Sequence, residues 1–491
     1  MTGGRPAGDP VAGDHLSGPF APPAPLDPFD PRTALDATGI LAQFNDLAVL
    51  SAADIHVARC LFELGAAGRG PTRGGSGDGA GAGWADDAVV LAAALAVRAP
   101  RLGHVCTDLA AARGTTITDS ESPEEVRNLP WPPTEAWTSL VAASGLAANG
   151  DDDPAERPLR LCGALLYLDR YWRQECQVAA DLEDRSRHPA AGVDLGVLAA
   201  GLDRLFPPLV AAPGLGAPPE PGPDLPRLAG AAAVVRRFSV IAGGPGTGKT
   251  TAVARVLALL GEQAEAAGAP LPRLALAAPT GKAAGRLEEA VHAEAATLAV
   301  SAQIRAQLLA TSASTVHRLL GWRPGSHSRF RHHHGNRLPH DVVVVDETSM
   351  VSLSLMAKLV DAVRPDARLI LVGDPEQLAS IEAGAVLGDV VGPAAHGLRM
   401  GTRTRAALAE VTGREVPATE PASPTSVGDG IVVLRQVHRY GGGIAALAGA
   451  VQAGDEDAAV GLLASGAGDL RWIDADGAEA ATEVRLGPVR A

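Results

Sequence analysis

Residues 238–251 read FSVIAGGPGTGKTT, an apolar run that leads into a glycine-rich loop. Gly243–Thr250 fits the pattern G-x-x-x-x-G-K-[ST] at every defined position, and helix-forming residues follow it. Glycines in such a loop let backbone N–H groups curl around a phosphate, and the start of the helix adds partial positive charge. The stretch therefore predicts a phosphate-binding loop between a strand and a helix.

This loop is expected to hold ATP. Lys249 would reach the β- and γ-phosphates and so act as a catalytic residue, and the Thr250 hydroxyl would bind Mg²⁺. Only three of the 42 basic residues are lysines, which argues against a coincidental lysine at this position. The expected nucleotide-binding residues are Gly243, Gly244, Pro245, Gly246, Thr247, Gly248, Lys249, Thr250 and Thr251.

Two further apolar runs end in polar residues that suit the same chemistry. Val342–Val345 leads into Asp346 and Glu347. Asp346 is expected to bind Mg²⁺, and Glu347 is expected to orient or deprotonate the attacking water. Leu369–Val372 leads into GDPEQL, where Gln377 is suited to sense a γ-phosphate because an amide both donates and accepts hydrogen bonds.

The apolar runs alternate with helix-length segments, which predicts an α/β fold. Because β-branched runs separated by helices indicate a parallel sheet covered on both faces, we expect a P-loop NTPase (RecA-like) domain. A smaller, mostly helical N-terminal domain should precede it. The predicted segments are a disordered tail (1–35), the N-terminal domain (36–210), a Pro-rich linker (211–229), the ATPase domain (230–400), a flexible loop (401–430) and a final segment (431–491).

Composition narrows the class of protein. The chain has 491 residues, 46% of them hydrophobic, and a net charge of −14, which excludes a basic, histone-like coat but not a locally basic groove. The apolar runs are far shorter than a membrane span, and the N-terminus lacks an apolar signal-peptide core. Four cysteines without a CxxC pair indicate reduced thiols in a cytoplasmic protein.

The motifs in this order resemble those of the superfamily 1 DNA helicases, and most closely those of the RecD family, the alpha subunits of RecBCD (exodeoxyribonuclease V). The resemblance covers residues 85–460, including N-terminal stretches at 91–110 and 158–175. The motifs that carry it are GGPGTGKTT (243–251), APTGKAAGRL (278–287), STVHRLLG (314–321), VVVDETSMV (343–351), VGDPEQLASIEAGAVLGD (372–389) and LRQVHRYGGGIAALAGAVQAGD (434–455).

The resemblance implies further site residues. Arg439 would reach the γ-phosphate and stabilise charge in the transition state. Thr280 and Lys282 would contact single-stranded DNA, and Thr315 and His317 would do the same. For the first pair, a helix-capping threonine and a surface lysine are the alternatives.

One segment favours DNA binding independently of the resemblance. Residues 295–340 contain six arginines and six histidines but no Asp or Glu, and Trp322 and Phe330 offer surfaces for stacking. An exposed flexible loop is the alternative interpretation.

The resemblance implies an ATP-dependent helicase subunit in double-strand break repair by homologous recombination. Its partners would be single-stranded and duplex DNA and RecB-type and RecC-type subunits. Two features depart from the family pattern. The nearest glutamine upstream of the loop is Gln177, so adenine selectivity stays open, and no counterpart of motifs V and VI follows Asp455.

The sequence therefore predicts that the second RecA-like lobe is largely absent. ATP binding should be retained, with weak or no unwinding by the chain alone. A stand-alone RecD-like helicase and a non-catalytic ATP-binding scaffold or regulatory subunit stay open as alternatives.

Overall fold

The computed structural model describes residues 32–67, 79–116, 123–151, 153, 155–207, 223–323, 329–377, 382–417, 426–435, 442–466 and 470. The chain divides into two compact units. One comprises Met1–Arg98 and Asp108–Asn149, and the other comprises Ala99–Thr107 and Gly150–Ala491.

The secondary structure is mixed α/β. The helices are α1 (Gly39–Asp46), α2 (Ala52–Ala67), α3 (Gly79–Arg98), α4 (Ala112–Thr115), α5 (Pro123–Arg127), α6 (Thr134–Ala143), α7 (Asp169–Arg187), α8 (Leu195–Leu205), α9 (Leu225–Val235), α10 (Lys249–Ala266), α11 (Gly281–Thr297), α12 (Ala302–Ala310), α13 (Val316–Leu319), α14 (Leu353–Ala362), α15 (Val386–Val391), α16 (Thr402–Thr412), α17 (Gly442–Ala453) and α18 (Glu456–Ala464). The strands are β1 (Cys106–Asp108), β2 (Ala147–Asn149), β3 (Leu159–Cys162), β4 (Leu165–Leu168), β5 (Phe238–Gly243), β6 (Leu274–Ala278), β7 (Ala313–Thr315), β8 (Val342–Val345), β9 (Arg368–Gly373) and β10 (Ile431–Leu434).

The first unit is mostly helical, as the sequence predicts. Phe44, Leu91 and Trp137 are buried in it, and the Trp137 indole donates a hydrogen bond to the Ala88 carbonyl at 2.8 Å. The predicted disordered tail (1–35) lies mostly outside the described residues, but its end is ordered. The Asn45 amide donates to the Arg32 carbonyl at 2.8 Å, which anchors the chain there.

The second unit is built on a six-stranded sheet in the order β10-β5-β9-β8-β6-β7. Every pair of neighbouring strands is parallel, which confirms the predicted fold class. All four valines of β8 are fully buried, because helices cover both faces of the sheet. One core contains residues of α8–α12 and α16, and the other contains residues of α7 and α13–α15.

The predicted boundary between domains at 211–229 is wrong. Residues 150–207 cluster with the sheet unit rather than with the helical unit. Helix α8 lies against α10, where Arg204 pairs with Glu262 and the Gln263 side chain exchanges two hydrogen bonds with the Asp194 backbone. At the other end of the predicted linker, α9 begins at Leu225, and residues 208–222 lie outside the described residues.

Two predictions for the C-terminal part are also corrected. Residues 401–430 are not one loop, because Thr402–Thr412 forms α16, which buries Leu408 and Val411. The ATPase domain does not end at 400, because β10 pairs in parallel with the P-loop strand β5. None of the helices in the described ranges is long and apolar enough to cross a membrane.

Candidate nucleotide-binding site

The glycine-rich loop connects β5 to α10 at the carboxyl edge of the sheet. Gly246 and Gly248 have φ angles of 77° and 83°, a region that favours glycine. A Cβ atom at Gly243 would lie 2.6 Å from the Leu434 carbonyl oxygen, so a larger residue would push β10 away. The Thr247 hydroxyl donates to the Gly244 carbonyl at 2.8 Å, which closes the turn. These residues give the loop the shape of a phosphate cradle.

Lys249 begins α10 and turns back over this loop. Its ammonium group donates to the Gly243 and Gly244 carbonyls at 2.5 and 2.9 Å. Burial lowers the pKa of Lys249 from its ordinary value, and the negative charges of Asp374, Asp346 and Glu347 act in the opposite direction. The cation is therefore held at the loop carbonyls, within the field of three carboxylates.

Asp346 and Glu347 follow β8 at the same edge of the sheet. Burial, reinforced by the charge of Glu347, raises the pKa of Asp346 to about 6. One Asp346 oxygen accepts the Glu347 N–H at 2.8 Å. Glu347 itself has a φ of 51°, which is uncommon for a residue with a side chain and is typical of functional sites.

Asp374 is a site residue that the sequence interpretation missed. It follows β9 directly, is 5% exposed, and is the carboxylate with the largest effect on the pKa of Lys249. Its oxygens accept hydrogen bonds from the Glu376 N–H and the Gln377 side-chain amide at 3.1 and 3.2 Å. Its place after a strand of the same sheet, like that of Asp346, is the signal that could have identified it.

The phosphate loop from Pro245 onward, the acid pair and Gln377 line one cleft of about 950 Å³. Its walls come from the loop, from the end of β8, from Gln377 and from α11. The lining residues are Pro245, Gly246, Thr247, Gly248, Lys249, Thr250, Thr251, Thr280, Lys282, Ala283, Arg286, Leu287, Ala290, Asp346, Glu347, Met350 and Gln377. The structure therefore brings together the predicted phosphate, metal and water-handling residues.

The cleft offers oxygen ligands that suit Mg²⁺. Thr250 and Asp346 both line it, and a hard divalent cation prefers hydroxyl and carboxylate oxygens. A cation there would also offset the burial that raises the pKa of Asp346. Within the described residues, no group of three or more His, Cys, Asp or Glu side chains forms a site of the kind that holds a transition metal.

The residues expected to contact DNA fall in two places. Thr280 caps α11, where its hydroxyl accepts the Ala283 N–H at 3.2 Å, and it lines the nucleotide cleft together with Lys282. Thr315 caps α13, where its hydroxyl accepts the Arg318 N–H at 3.1 Å, and His317 is exposed. The two threonines lie at the same edge of the sheet, since Ala278 is the β-partner of Thr315.

The acid-free segment forms a basic hairpin, defined as residues 320–323 and 329–332. The Arg331 and His332 N–H groups donate to the Gly321 and Leu320 carbonyls, each at 3.0 Å. Trp322 is 45% exposed and is the bridge partner of Phe330, whose ring centroid lies 5.8 Å from that of His317. Part of the segment is therefore ordered, with an indole ring open to solvent.

Arg439 lies outside the described residues, as do residues 378–381 of the stretch around Gln377.

Comparison with known proteins places the chain in a family. A domain family described as "AAA domain" matches residues 227–383, and one described as "RecBCD enzyme subunit RecD, N-terminal domain" matches residues 46–167. The RecBCD enzyme subunit RecD of Mycolicibacterium smegmatis is 45% identical over 437 residues, which cover 89% of this chain and 64% of that protein. This chain belongs to the RecD family.

More distant relatives share shorter stretches. The RecBCD enzyme subunit RecD of Haemophilus influenzae is 33% identical over 66% of this chain and 49% of its own length. An ATP-dependent RecD2 DNA helicase of Deinococcus radiodurans is 37% identical over 45% of this chain and 25% of its own length. The chain thus spans just under two thirds of the length of its Mycolicibacterium relative, and less of the other two.

Proposed function

We propose that this RecD-family chain is the ATP-dependent motor subunit of a DNA helicase that acts in double-strand break repair. One observation carries the proposal: a single cleft contains a phosphate cradle with its lysine, an acid pair at the end of β8, two strands away from β5 in the sheet, and Gln377. Nucleotide binding alone needs the cradle, whereas hydrolysis also needs a group that orients water. The acid pair and Gln377 supply that second requirement.

The predicted site residues have distinct roles in ATP hydrolysis. The loop N–H groups and Lys249 bind the β- and γ-phosphates, so Lys249 must exchange its two carbonyl partners for phosphate oxygens. Thr250 and Asp346 would hold Mg²⁺, which neutralises phosphate charge when it is bound. Glu347 holds the attacking water and accepts its proton, and Gln377 contacts the γ-phosphate. Arg439 would add positive charge at the γ-phosphate.

The DNA track is proposed to run along the carboxyl edge of the sheet. Lys282, Thr280, Thr315 and His317 would contact the backbone of single-stranded DNA there. The basic hairpin supports this proposal, because the exposed Trp322 and the surrounding arginines combine stacking with phosphate contacts. Both groups of residues follow the strands β6 and β7, so a strand of DNA could reach them together.

RecB-type and RecC-type subunits are the proposed partners, in the cytoplasm, and the direction of movement expected from the family is 5′→3′. The match to the RecD N-terminal domain favours a partnered subunit over a stand-alone helicase. The RecD2 relative, by contrast, matches 45% of the chain.

ATP hydrolysis by the purified chain tests the proposal, measured with and without single-stranded DNA. Wild-type protein should hydrolyse ATP with Mg²⁺ and respond to DNA. Lys249→Ala should reduce turnover about 10²–10³-fold, because a preorganised cation at the phosphates is lost. Lys358→Ala is the matched control, since Lys358 is an exposed lysine of α14 and does not line the cleft.

Two results would contradict the proposal. Turnover that survives in Lys249→Ala would place the activity elsewhere. Failure of wild-type protein to bind ATP with Mg²⁺, in a folded sample, would remove its basis.

A further inference from the structure

Arg286 is an exposed arginine of α11 that lines the nucleotide cleft. The phosphate loop, including Lys249, lines the same cleft. Ala283, Leu287 and Ala290 line the same wall as Arg286, so a continuous face of the helix borders the cleft. Arg286 stands on this face one helical turn after Lys282.

The order of strands brings the start of α11 next to the acid pair rather than to the loop strand. Helix α11 follows β6, and β6 pairs with β8, with Ala277 opposite Val345. The Asp346 N–H donates to the Ala277 carbonyl at 2.9 Å, which fixes this register. Since Glu347 handles the water that attacks the γ-phosphate, the α11 wall faces the terminal end of a bound triphosphate.

Helix α11 is held firmly against the helix that follows the loop. Leu287 and Val291 are buried in the core that also contains α10. Arg255 of α10 pairs with Glu294 of α11 at 2.7 Å. The position of the Arg286 backbone relative to the loop is therefore set by packing and by an ion pair, and its side chain already lines the cleft.

The charges around the cleft leave the Arg286 guanidinium available to bind an anion. The negative charges of Asp374, Asp346 and Glu347 act on Lys249 and so offset part of the positive charge at the loop. Among the described residues, no carboxylate pairs with Arg286 or Lys282. A guanidinium group without a partner, on the wall of an anion-binding cleft, is suited to bind phosphate oxygens.

We infer that Arg286 contacts the γ-phosphate of the bound nucleotide and so distinguishes ATP from ADP. The inference rests on the proposed function. The sequence motif around this residue suggested only DNA contacts, at Thr280 and Lys282, so Arg286 gives α11 a second role at the nucleotide. A helix with Lys282 at the DNA and Arg286 at the γ-phosphate would link the two ligands directly.

Nucleotide binding without DNA tests the inference. The full chain is titrated with a fluorescent, non-hydrolysable ATP analogue and with the corresponding fluorescent ADP, both with Mg²⁺. Arg286→Ala should weaken binding of the ATP analogue roughly tenfold and change ADP binding less than about twofold, because one charge-assisted contact is lost with the γ-phosphate. Arg286→Lys should recover part of the difference. Lys358→Ala is the control for loss of an exposed cation.

The outcomes separate this inference from the proposed function. Equal affinities of wild type and Arg286→Ala for both nucleotides would overturn the inference and leave the function standing. Equal weakening of both nucleotides would also overturn it, because the contact would then lie at the inner phosphates. Loss of single-stranded DNA binding with unchanged nucleotide affinity would make Arg286 a DNA contact instead. Absence of ATP binding by folded wild-type protein would overturn both.

Discussion

At the scale of single residues, the site depends on groups that hold one another in place. Asp374 is buried beside Lys249 and holds the side-chain amide of Gln377. The carboxylate therefore acts in two ways: it supports the positive charge of Lys249, and it positions the amide expected at the γ-phosphate. Because Asp374 would act through Lys249 and Gln377, we treat it as a positioning residue.

Asp374→Asn should reduce ATP turnover about tenfold while the affinity for nucleotide stays within about threefold of wild type. Asparagine has one acceptor oxygen and no charge, so it cannot accept both the Glu376 N–H and the Gln377 amide, and it no longer supports the charge of Lys249. Steady-state kinetics together with nucleotide titration separate these two quantities. If Asp374 acts through Gln377, the double variant with Gln377→Ala will be no slower than Gln377→Ala alone. Additive losses would show that the two residues act separately.

The residues of the phosphate loop and the acid pair could be predicted because their spacing and their place after apolar strands define their chemistry. The roles of Asp374 and Arg286 were harder to predict, although the place of Asp374 directly after a strand was a signal. In sequence, an acidic residue after a glycine predicts a loop, and an arginine within a helix predicts a solvent-exposed side chain. Only the order of the strands brings Asp374 beside Lys249 and Arg286 to the wall of the same cleft, and that order is a property of the sheet rather than of any one motif.

At the scale of elements, the strands made of apolar runs were predictable and the short polar strands were not. β5, β6, β8 and β9 are runs of buried aliphatic residues. β7, with the sequence AST, has three half-buried residues and gains its strand conformation from pairing with β6. The sequence did not predict helix α16, because few of its residues are large and apolar, although Leu408 and Val411 are buried.

Helix α7 shows how a charged residue can join two elements. The Arg185 side chain is 1% exposed, pairs with Asp181, and donates hydrogen bonds to the Val363, Arg364 and Ala367 carbonyls. These carbonyls follow the end of α14, where backbone oxygens have no helical partner. The guanidinium group of α7 therefore donates hydrogen bonds to backbone oxygens at the end of α14.

Arg185→Ala should lower the free energy of unfolding by about 3 kcal/mol, because a buried guanidinium group that pairs with Asp181 and donates to three carbonyls is lost. Chemical denaturation followed by circular dichroism measures the change. Arg187→Ala is the matched control, since Arg187 forms an exposed pair with Glu183 on the same helix and should cost less than about 1 kcal/mol. Similar losses in the two variants would refute the capping role.

At the scale of the whole molecule, the boundary of the motor does not follow the composition of the chain. The Pro-rich stretch after residue 207 reads as a linker between domains, yet helices before it pack in the motor core. Leu198 and Leu202 of α8 are fully buried in the core that contains α9 and α10. A Cβ atom at Gly201 would lie 2.5 Å from Leu259, so α8 and α10 approach closely. Composition does not predict this packing, because a Pro-rich stretch shows where a helix ends and not which core the preceding helix joins.

Leu202→Ala should therefore destabilise the ATP-binding unit by about 3 kcal/mol, through lost burial and a residual cavity. The measurement is thermal unfolding with and without a non-hydrolysable ATP analogue. The analogue should raise the midpoint temperature of one unfolding transition, and Leu202→Ala should lower the midpoint of that same transition, because α8 packs on the helix that begins with Lys249. Leu91→Ala is the matched control: Leu91 is equally buried, but it belongs to the helical unit. If Leu202→Ala leaves the midpoint of the nucleotide-stabilised transition unchanged, α8 belongs to a separate N-terminal domain and the assignment to the ATP-binding unit is wrong.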